Sequence, residues 1–505
     1  MEFAGENQAL PGFVAGDFVD MEKLREKTLT GFIWNVLERV GYQVITFIPT
    51  ILLARLLAPE QFGLIGMLAI FMLLANTFLD SGFGVALIQK RDATYVDECS
   101  IFYFNLVIGI FLTLALCLAA PLIAAFYNQP ELTNLTRVMS LRILINSFNL
   151  IQTVRLTRSL DFNTQVKAKL LAAFSAGLIA VVLAYFGFVV WSLVAENILD
   201  GLISTVALWI VCDWRPRLVF SLQSLKGMFN FGSRMLTSSL VTVVFDNLYQ
   251  MFIGKVFSAA ALGYYTRANT VRQVAMDSTS NAIGRVMFPA LASVKDEPER
   301  LQRGYRKSVM LSTFVNFPIM IGLIVVARPL ILVLFSAKWL TSATFLQLLS
   351  VTGLLSPLQV INLDVLKVKG RSDLFLKISL INRVAIIANI FITYRWGINA
   401  MLIGQIGVAL IAYFLNSYYS ERLIGYSMKS QVKDVLPSFF YSCLMGGGAA
   451  LVGLLLREAN SFVTLFAQTG AGVILYLLIG YLTKSELLAE TFDIIKKLPN
   501  LLVKG

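Results

Sequence analysis

Apolar stretches long enough to cross a bilayer follow one another along almost the whole chain, and this feature limits what it can become. A helix rising 1.5 Å per residue needs roughly 20 apolar residues to cross a hydrocarbon core of about 30 Å. Fourteen stretches reach that length, in approximate limits 28–57, 62–89, 97–127, 133–157, 163–187, 189–213, 232–257, 264–292, 302–327, 340–367, 373–395, 397–423, 434–456 and 461–483. The expected fold class is all-α: a polytopic integral membrane protein with about 14 transmembrane helices. Composition agrees, with 57% hydrophobic and 14% charged residues where soluble domains carry about 25% charged.

Much chemistry is excluded at the outset. The chain has no histidine, which removes the commonest general base and metal ligand together. Cys99, Cys117, Cys212 and Cys443 stand far apart, so buried free thiols are expected rather than a metal site or disulfide framework. External connections such as Asn128–Glu131 and Phe186–Phe188 leave no room for an extramembrane catalytic domain. No enzyme activity and no cofactor are expected.

The formal charge of +12 is a topology signal here and does not point to nucleic acid. Alternate connections collect 28 of the 42 Lys and Arg residues on one side, including Lys90, Lys167, Lys169, Arg303, Arg306, Lys369 and Lys433. Only a few, among them Arg55, Lys255, Arg328 and Lys338, lie near the other. Both termini are therefore expected in the cytoplasm, in agreement with an even number of spans. Residues 1–27 read as a polar cytoplasmic tail without a signal peptide. Residues 214–231 read as an interfacial linker helix and 485–505 as a cytoplasmic amphipathic tail.

The chain also repeats itself. Arg55–Gly63 aligns with Lys255–Gly263 and Gly84–Leu87 with Gly284–Met287 at an offset of 200. Ala119–Ile123 meets Ala327–Ile331 at 208, and Tyr185–Gly187 meets Arg395–Gly397 at 210. Six spans per unit bring both halves into the membrane in the same direction, as in transporters built from parallel repeats. The expected organisation is an N-terminal six-helix bundle over 28–213, a second over 232–424, and two extra helices over 434–484.

With these features on the page, the stretch GFIWNVLERVGYQVITFIPTILLARLLAPEQFGLIGMLAIF (31–71), followed by FLDSGFGVALIQ (78–89), resembles Wzx-type polysaccharide and O-antigen exporters, especially those of colanic-acid type. These belong to the multidrug/oligosaccharidyl-lipid/polysaccharide flippase superfamily. The resemblance covers nearly the whole chain. It implies a multi-pass protein of the bacterial inner membrane that moves an undecaprenyl-diphosphate-linked oligosaccharide to the periplasmic leaflet by alternating access, for exopolysaccharide, capsule or O-antigen synthesis. The implied partners are the lipid-linked oligosaccharide, membrane lipids and polysaccharide polymerase machinery. A lipid II-type flippase and a drug/cation antiporter are the alternatives within the superfamily. A membrane glycan polymerase is the alternative from another class, disfavoured by the short external connections.

Polar residues at membrane depth mark the expected pathway, since an ionised side chain there costs about 2.5–3.5 kcal/mol on insertion scales. Asn35, Arg39, Gln43, Thr46 and Thr50 share one face of span 1, and Thr242, Asp246 and Gln250 share one face of its repeat mate. Span 2 carries Asp80, span 4 Arg142, Asn146 and Asn149, and span 8 Gln273 and Asp277. Glu196 and Asp200 also lie deep, while Asp364 and Arg383 are placed near an interface, where a structural role is expected. The expected function of the stripes is a hydrophilic cavity in which Arg39 and Arg142 hold the diphosphate, because a guanidinium bonds phosphate bidentately. The competing expectation is that these charges pair and fasten helices together. Asp80, Asp246 and Asp277 are candidates to couple an inward Na⁺ or H⁺ to resetting, with Asp246 favoured because it replaces Thr46 of the first repeat.

Overall fold

A computed structural model describes residues 46–488 except 81, 91 and 160, and gives the backbone alone for 230–231 and 277–290. All regular structure among the described residues is helical. The first half holds α1 (Thr46–Leu56), α2 (Pro59–Asp80), α3 (Phe83–Gln89), α4 (Tyr95–Tyr127), α5 (Leu132–Ser147), α6 (Leu150–Arg158), α7 (Phe162–Tyr185) and α8 (Val190–Val211). The second holds α9 (Leu222–Asp246), α10 (Leu248–Val256), α11 (Ala259–Ser293), α12 (Pro298–Phe335), α13 (Thr341–Val368), α14 (Ser372–Thr393) and α15 (Ile398–Ile424). Then come α16 (Met428–Leu455) and α17 (Ser461–Leu482). Among the described residues, ten helical segments are long and apolar enough to cross a membrane, so the chain is a multi-pass membrane protein.

Four expected spans are not among those ten. The first, 28–57, lies largely outside the described residues, as do its Asn35, Arg39 and Gln43. The other three are the polar ones: 133–157 is broken into α5 and α6, 232–257 into α9 and α10, and 264–292 is the polar α11. Side chains satisfy the backbone groups that these breaks release, as a lipid-embedded chain requires. Trp209 Nε1 donates to the Phe148 carbonyl at 2.8 Å, and Asn247 Nδ2 donates to the Val243 carbonyl at 2.8 Å. The expected linker helix over 214–231 takes a different form: helix begins only at Leu222 and runs unbroken to Asp246, because Ser221 caps it by accepting from the Ser224 N–H at 3.3 Å.

Helix starts are similarly marked by short polar caps, which satisfy N–H groups that have no intrahelical partner. Thr94 and Asp97 form a reciprocal capping box at α4, with Lys90 on Asp97 at 2.7 Å. Asp161 caps α7, accepting from the Thr164 N–H at 3.1 Å and its hydroxyl at 2.7 Å. These two bonds hold the Asp161 carboxyl below its ordinary value.

The buried side chains reveal how the halves meet. At the end of the bundle carrying the α1–α2, α4–α5 and α7–α8 connections, both halves share one core, in which Leu53, Phe62 and Met67 pack with Leu262, Phe335 and Trp339. At the opposite end the cores are separate. One surrounds Phe83, Phe102 and Trp214, and the other surrounds Leu301, Tyr305 and Tyr426. The halves are thus two lobes joined at one end. The N-terminal part of α9 leans on the first lobe, where Leu225 and Met228 enter its core. Helices α16 and α17 pack on α12 of the second lobe.

The joined end obeys the repeat. In α2, Gly63 lies against Ala259, and in α11, Gly263 lies against Pro59. Arg55 donates to the carbonyls of Val333 and, at 3.0 Å, Leu334 at the end of α12, while Lys255 donates to the Phe126 carbonyl at the end of α4. Each cation therefore caps the negative end of a helix in the other lobe.

Candidate transport cavity

Between the lobes, on the open side of the shared core, lies a cavity of about 390 Å³. Thr46 and Thr50 from α1, Arg142 from α5, Glu196 and Asp200 from α8 and Thr270 from α11 line it, so both lobes contribute. Its centre is an ion pair. Arg142 Nη2 bonds Asp200 Oδ2 at 2.7 Å and Nη1 bonds Asn197 Oδ1 at 2.6 Å. Asn197 is itself fixed by donating to the Leu193 carbonyl at 2.9 Å. Gly201 follows Asp200 on α8, where a Cβ would stand 3.2 Å from Asn146 Oδ1 and in ordinary contact with Arg142 Cγ, so α8 packs closely on α5 beside the pair.

The pair is not fully buried: Arg142 and Asp200 keep 27% and 31% of their side-chain surface. A guanidinium has five N–H donors, and these contacts use two. Arg142 is therefore anchored and still able to bind an anion from the cavity. Across the gap, Arg267 of α11 stacks on Phe62 of α2 with its guanidinium carbon 4.4 Å from the ring centre. Its Nε–H finds no hydrogen-bond partner among the described residues. Glu196 lies within electrostatic reach of both Arg267 and Arg142, and Lys169 within reach of Asp80 and Asp200. The lining is of mixed sign, with each arginine facing an acid.

The residues expected to form the pathway separate into groups. Thr46, Thr50 and Arg142 line the cavity. Asn146 joins the same polar layer by donating to Asn76 Oδ1 at 3.0 Å. Asn149 donates to Thr205 Oγ1 at 3.2 Å beside the α5–α6 break, where it serves the break. Gln250 donates to the Gly66 carbonyl at 3.0 Å and ties α10 to α2. Asp80, Thr242, Asp246 and Gln273 are exposed and are not among the residues lining this cavity, Asp246 being within electrostatic reach of Arg383, which stacks on Phe245. The Asp277 side chain lies outside the described residues. Asn197, Arg267 and Lys169 escaped the stripe search, because their importance comes from helices packing side by side and not from periodicity within one helix.

The profile of a family described as polysaccharide biosynthesis protein matches residues 52–344, more than half of the chain and including most of the cavity. The chain belongs to this family. Among similar proteins, the teichuronic acid biosynthesis protein TuaB of Bacillus subtilis is 28% identical over 93% of this chain and 99% of its own length. The lipopolysaccharide biosynthesis protein WzxC of Escherichia coli is 26% identical over 83% of this chain and 86% of its own. The fold is that of the lipid II flippase MurJ, whose inward closed structure superimposes with a TM-score of 0.73 at 13% identity over 90% of this chain and 99% of that one. The family assignment and the transporter fold both agree with the resemblance read from 31–71 and 78–89.

Proposed function

We propose that this member of the family is a flippase of the bacterial inner membrane, moving undecaprenyl-diphosphate-linked oligosaccharide from the cytoplasmic to the periplasmic leaflet by alternating access. The observation that carries the reading is the cavity itself: a partly exposed arginine–acid pair between two lobes that share a core at one end and separate at the other. In this reading the diphosphate binds the uncommitted N–H groups of Arg142, with Arg39 a second contact, while amides and hydroxyls of the lining pass the sugars. The two lobes then part at the joined end and close at the other, and the glycan is released toward polymerase machinery. Inward Na⁺ or H⁺ resets the carrier through an acid of the pathway, Asp246 remaining the first to test. The names and fold of the similar proteins support this reading by placing relatives in cell-surface polysaccharide synthesis and lipid-linked precursor flipping.

The test is deletion of the gene in its own host, followed by periodate oxidation of lipid-linked sugar in intact spheroplasts. Loss of oxidant-accessible lipid-linked oligosaccharide, restored by the wild-type gene, is the expected result. Unchanged accessibility and unchanged surface polysaccharide would overturn the reading.

A further inference from the structure

The first lobe has a second polar cavity, at the joined end. It holds about 450 Å³, within the roughly 300–1,000 Å³ of ordinary ligand pockets. Glu60 and Gln61 enter from the first turn of α2, Gln129, Glu131 and Asn134 from the α4–α5 junction, and Trp191 from the first turn of α8. Gln61 uses its carbonyl oxygen on the Ala58 N–H at 2.7 Å, which fixes the side chain and leaves its NH₂ uncommitted. None of the side chains of Glu60, Gln129, Glu131 and Asn134 makes a hydrogen bond or ion pair among the described residues.

The fold does not require this polar set. At the repeat offsets, Glu60 and Gln61 correspond to Ala260 and Ala261, Gln129 to Ala337, Glu131 to Trp339 and Trp191 to Met401. The second lobe fills the equivalent place with the fully buried Trp339, whose ring packs 5.3 Å from Phe62 and 6.0 Å from Tyr264. The same architecture is therefore closed by alanine and tryptophan in one repeat and opened by carboxylates and amides in the other.

The lining selects a chemical class. Carboxylates accept hydrogen bonds from hydroxyls, amides both donate and accept, and an indole offers an apolar face with an N–H at its edge. That combination suits the alternating hydroxyl and C–H faces of a sugar ring. Two carboxylates without a cationic partner in the lining repel a diphosphate, so the pocket selects the glycan over its lipid carrier. Its place is apt as well. The turn that carries Glu60 and Gln61 also carries Pro59 and Gly63, which meet the second lobe at the join, on the end that the Lys and Arg distribution assigns to the outside.

We propose that this cavity is a glycan-docking site on the exit side, which receives the sugar portion of the exported molecule as the lobes part. The inference rests on the export reading above. The test uses the full-length protein in lipid nanodiscs and, as probe, the repeat-unit oligosaccharide released by mild acid from the host strain's own surface polysaccharide. Saturation-transfer NMR at millimolar probe should show transfer to the wild type, unaffected by calcium or by EDTA. The variant Glu60→Ala/Glu131→Ala/Trp191→Ala should lose at least fivefold of it. Asn134→Ala, a milder change at an exposed position, should lose about twofold and guards against a misfolded triple variant. Absence of transfer to the wild type, equal transfer to wild type and both variants, or transfer that requires calcium overturns the docking site. The export reading fails separately, when gene deletion leaves surface polysaccharide unchanged, and the proposal falls with it. Export lost on deletion with no transfer to the pocket leaves that reading standing and removes only the docking site.

Discussion

Gly63 and Gly263 stand two hundred residues apart and solve the same packing problem for each other's lobe. A Cβ on Gly63 would lie 1.7 Å from the carbonyl oxygen of Ala259, and one on Gly263 would lie 1.9 Å from that of Pro59. Positions 59 and 63 are the repeat mates of 259 and 263, so the join is one contact made twice. Both obstructing atoms are backbone, which cannot rotate aside as a side chain would.

Alanine at either glycine is therefore expected to force α2 and α11 apart at the joined end. Overpacking of this kind costs roughly 1–3 kcal/mol. Spin labels at Pro130 and Thr341, with the four native cysteines replaced, should show a longer interlobe distance in Gly63→Ala and in Gly263→Ala. Unchanged distances together with unchanged thermal stability would show that the join accommodates a methyl group.

Arg55 and Lys255 act at the same place by charge. Each places its cation on terminal carbonyls of a helix in the other lobe, an interaction worth about 0.3–1 kcal/mol when exposed. The Arg55→Ala/Lys255→Ala pair should shift the same label distances toward separation, while each single variant gives roughly half the shift. High salt should weaken the wild-type join and leave the double variant nearly unaffected.

For the cavity, Arg142→Ala should reduce glycan export at least about tenfold, equivalent to ~1.4 kcal/mol. Arg142→Lys should fall between, because the ammonium keeps the charge and loses the planar fork. Asp200→Asn should cost less stability than the 3–5 kcal/mol typical of breaking a fully buried pair, since both partners retain contact with the cavity. Export scored against the amount of protein in the membrane decides the matter, and normal export by Arg142→Ala would remove the arginine from the transport path.

Asp161 provides a pH prediction at the start of α7. Its carboxyl is held below its ordinary value by the two Thr164 bonds, so the stability it adds is present above the unfolded-state value of 3.8 and is lost as pH falls through the folded value. Asp161→Ala should lower the melting temperature at pH 7, and that difference should shrink on acidification below about pH 4. Asp161→Asn, which can still cap, should lose less at pH 7.

The membrane architecture was legible because length and apolarity alone specify a span, and the repeat was legible because Arg55–Gly63 and Lys255–Gly263 kept their register. The polar layer was legible at Thr46 and Thr50 on one span and at Arg142 on another, because within each span the polar residues recur at helical spacing. Its other half was not. Asn197 and Arg267 matter because α8 lies beside α5 and α11 faces α2, and no single-helix period encodes a neighbour. The break between α5 and α6 was equally hidden: neither Phe148 nor Asn149 is a conventional helix breaker, and the released carbonyl is satisfied by Trp209, sixty-one residues away. The pairing of Arg55 and Lys255 with distant helix ends did leave a sequence trace, as two cations at matched positions on a side otherwise poor in them.

Among the described residues, helices α16 and α17 pack on α12 and make no extensive contact with the first lobe. Tyr476 fixes α17 there by donating to the Phe314 carbonyl at 2.6 Å. Two repeat-related lobes are thus loaded unequally, since only the second carries the extra pair among the described residues. In the movement proposed above, the second lobe would carry two further helices through the lipid, and viscous resistance rises with the size of the body being turned. In the proposed rotation about the join, the first lobe, which carries no such extra helices among the described residues, would sweep the larger angle, so the lipid would decide which lobe serves as the frame and which as the door.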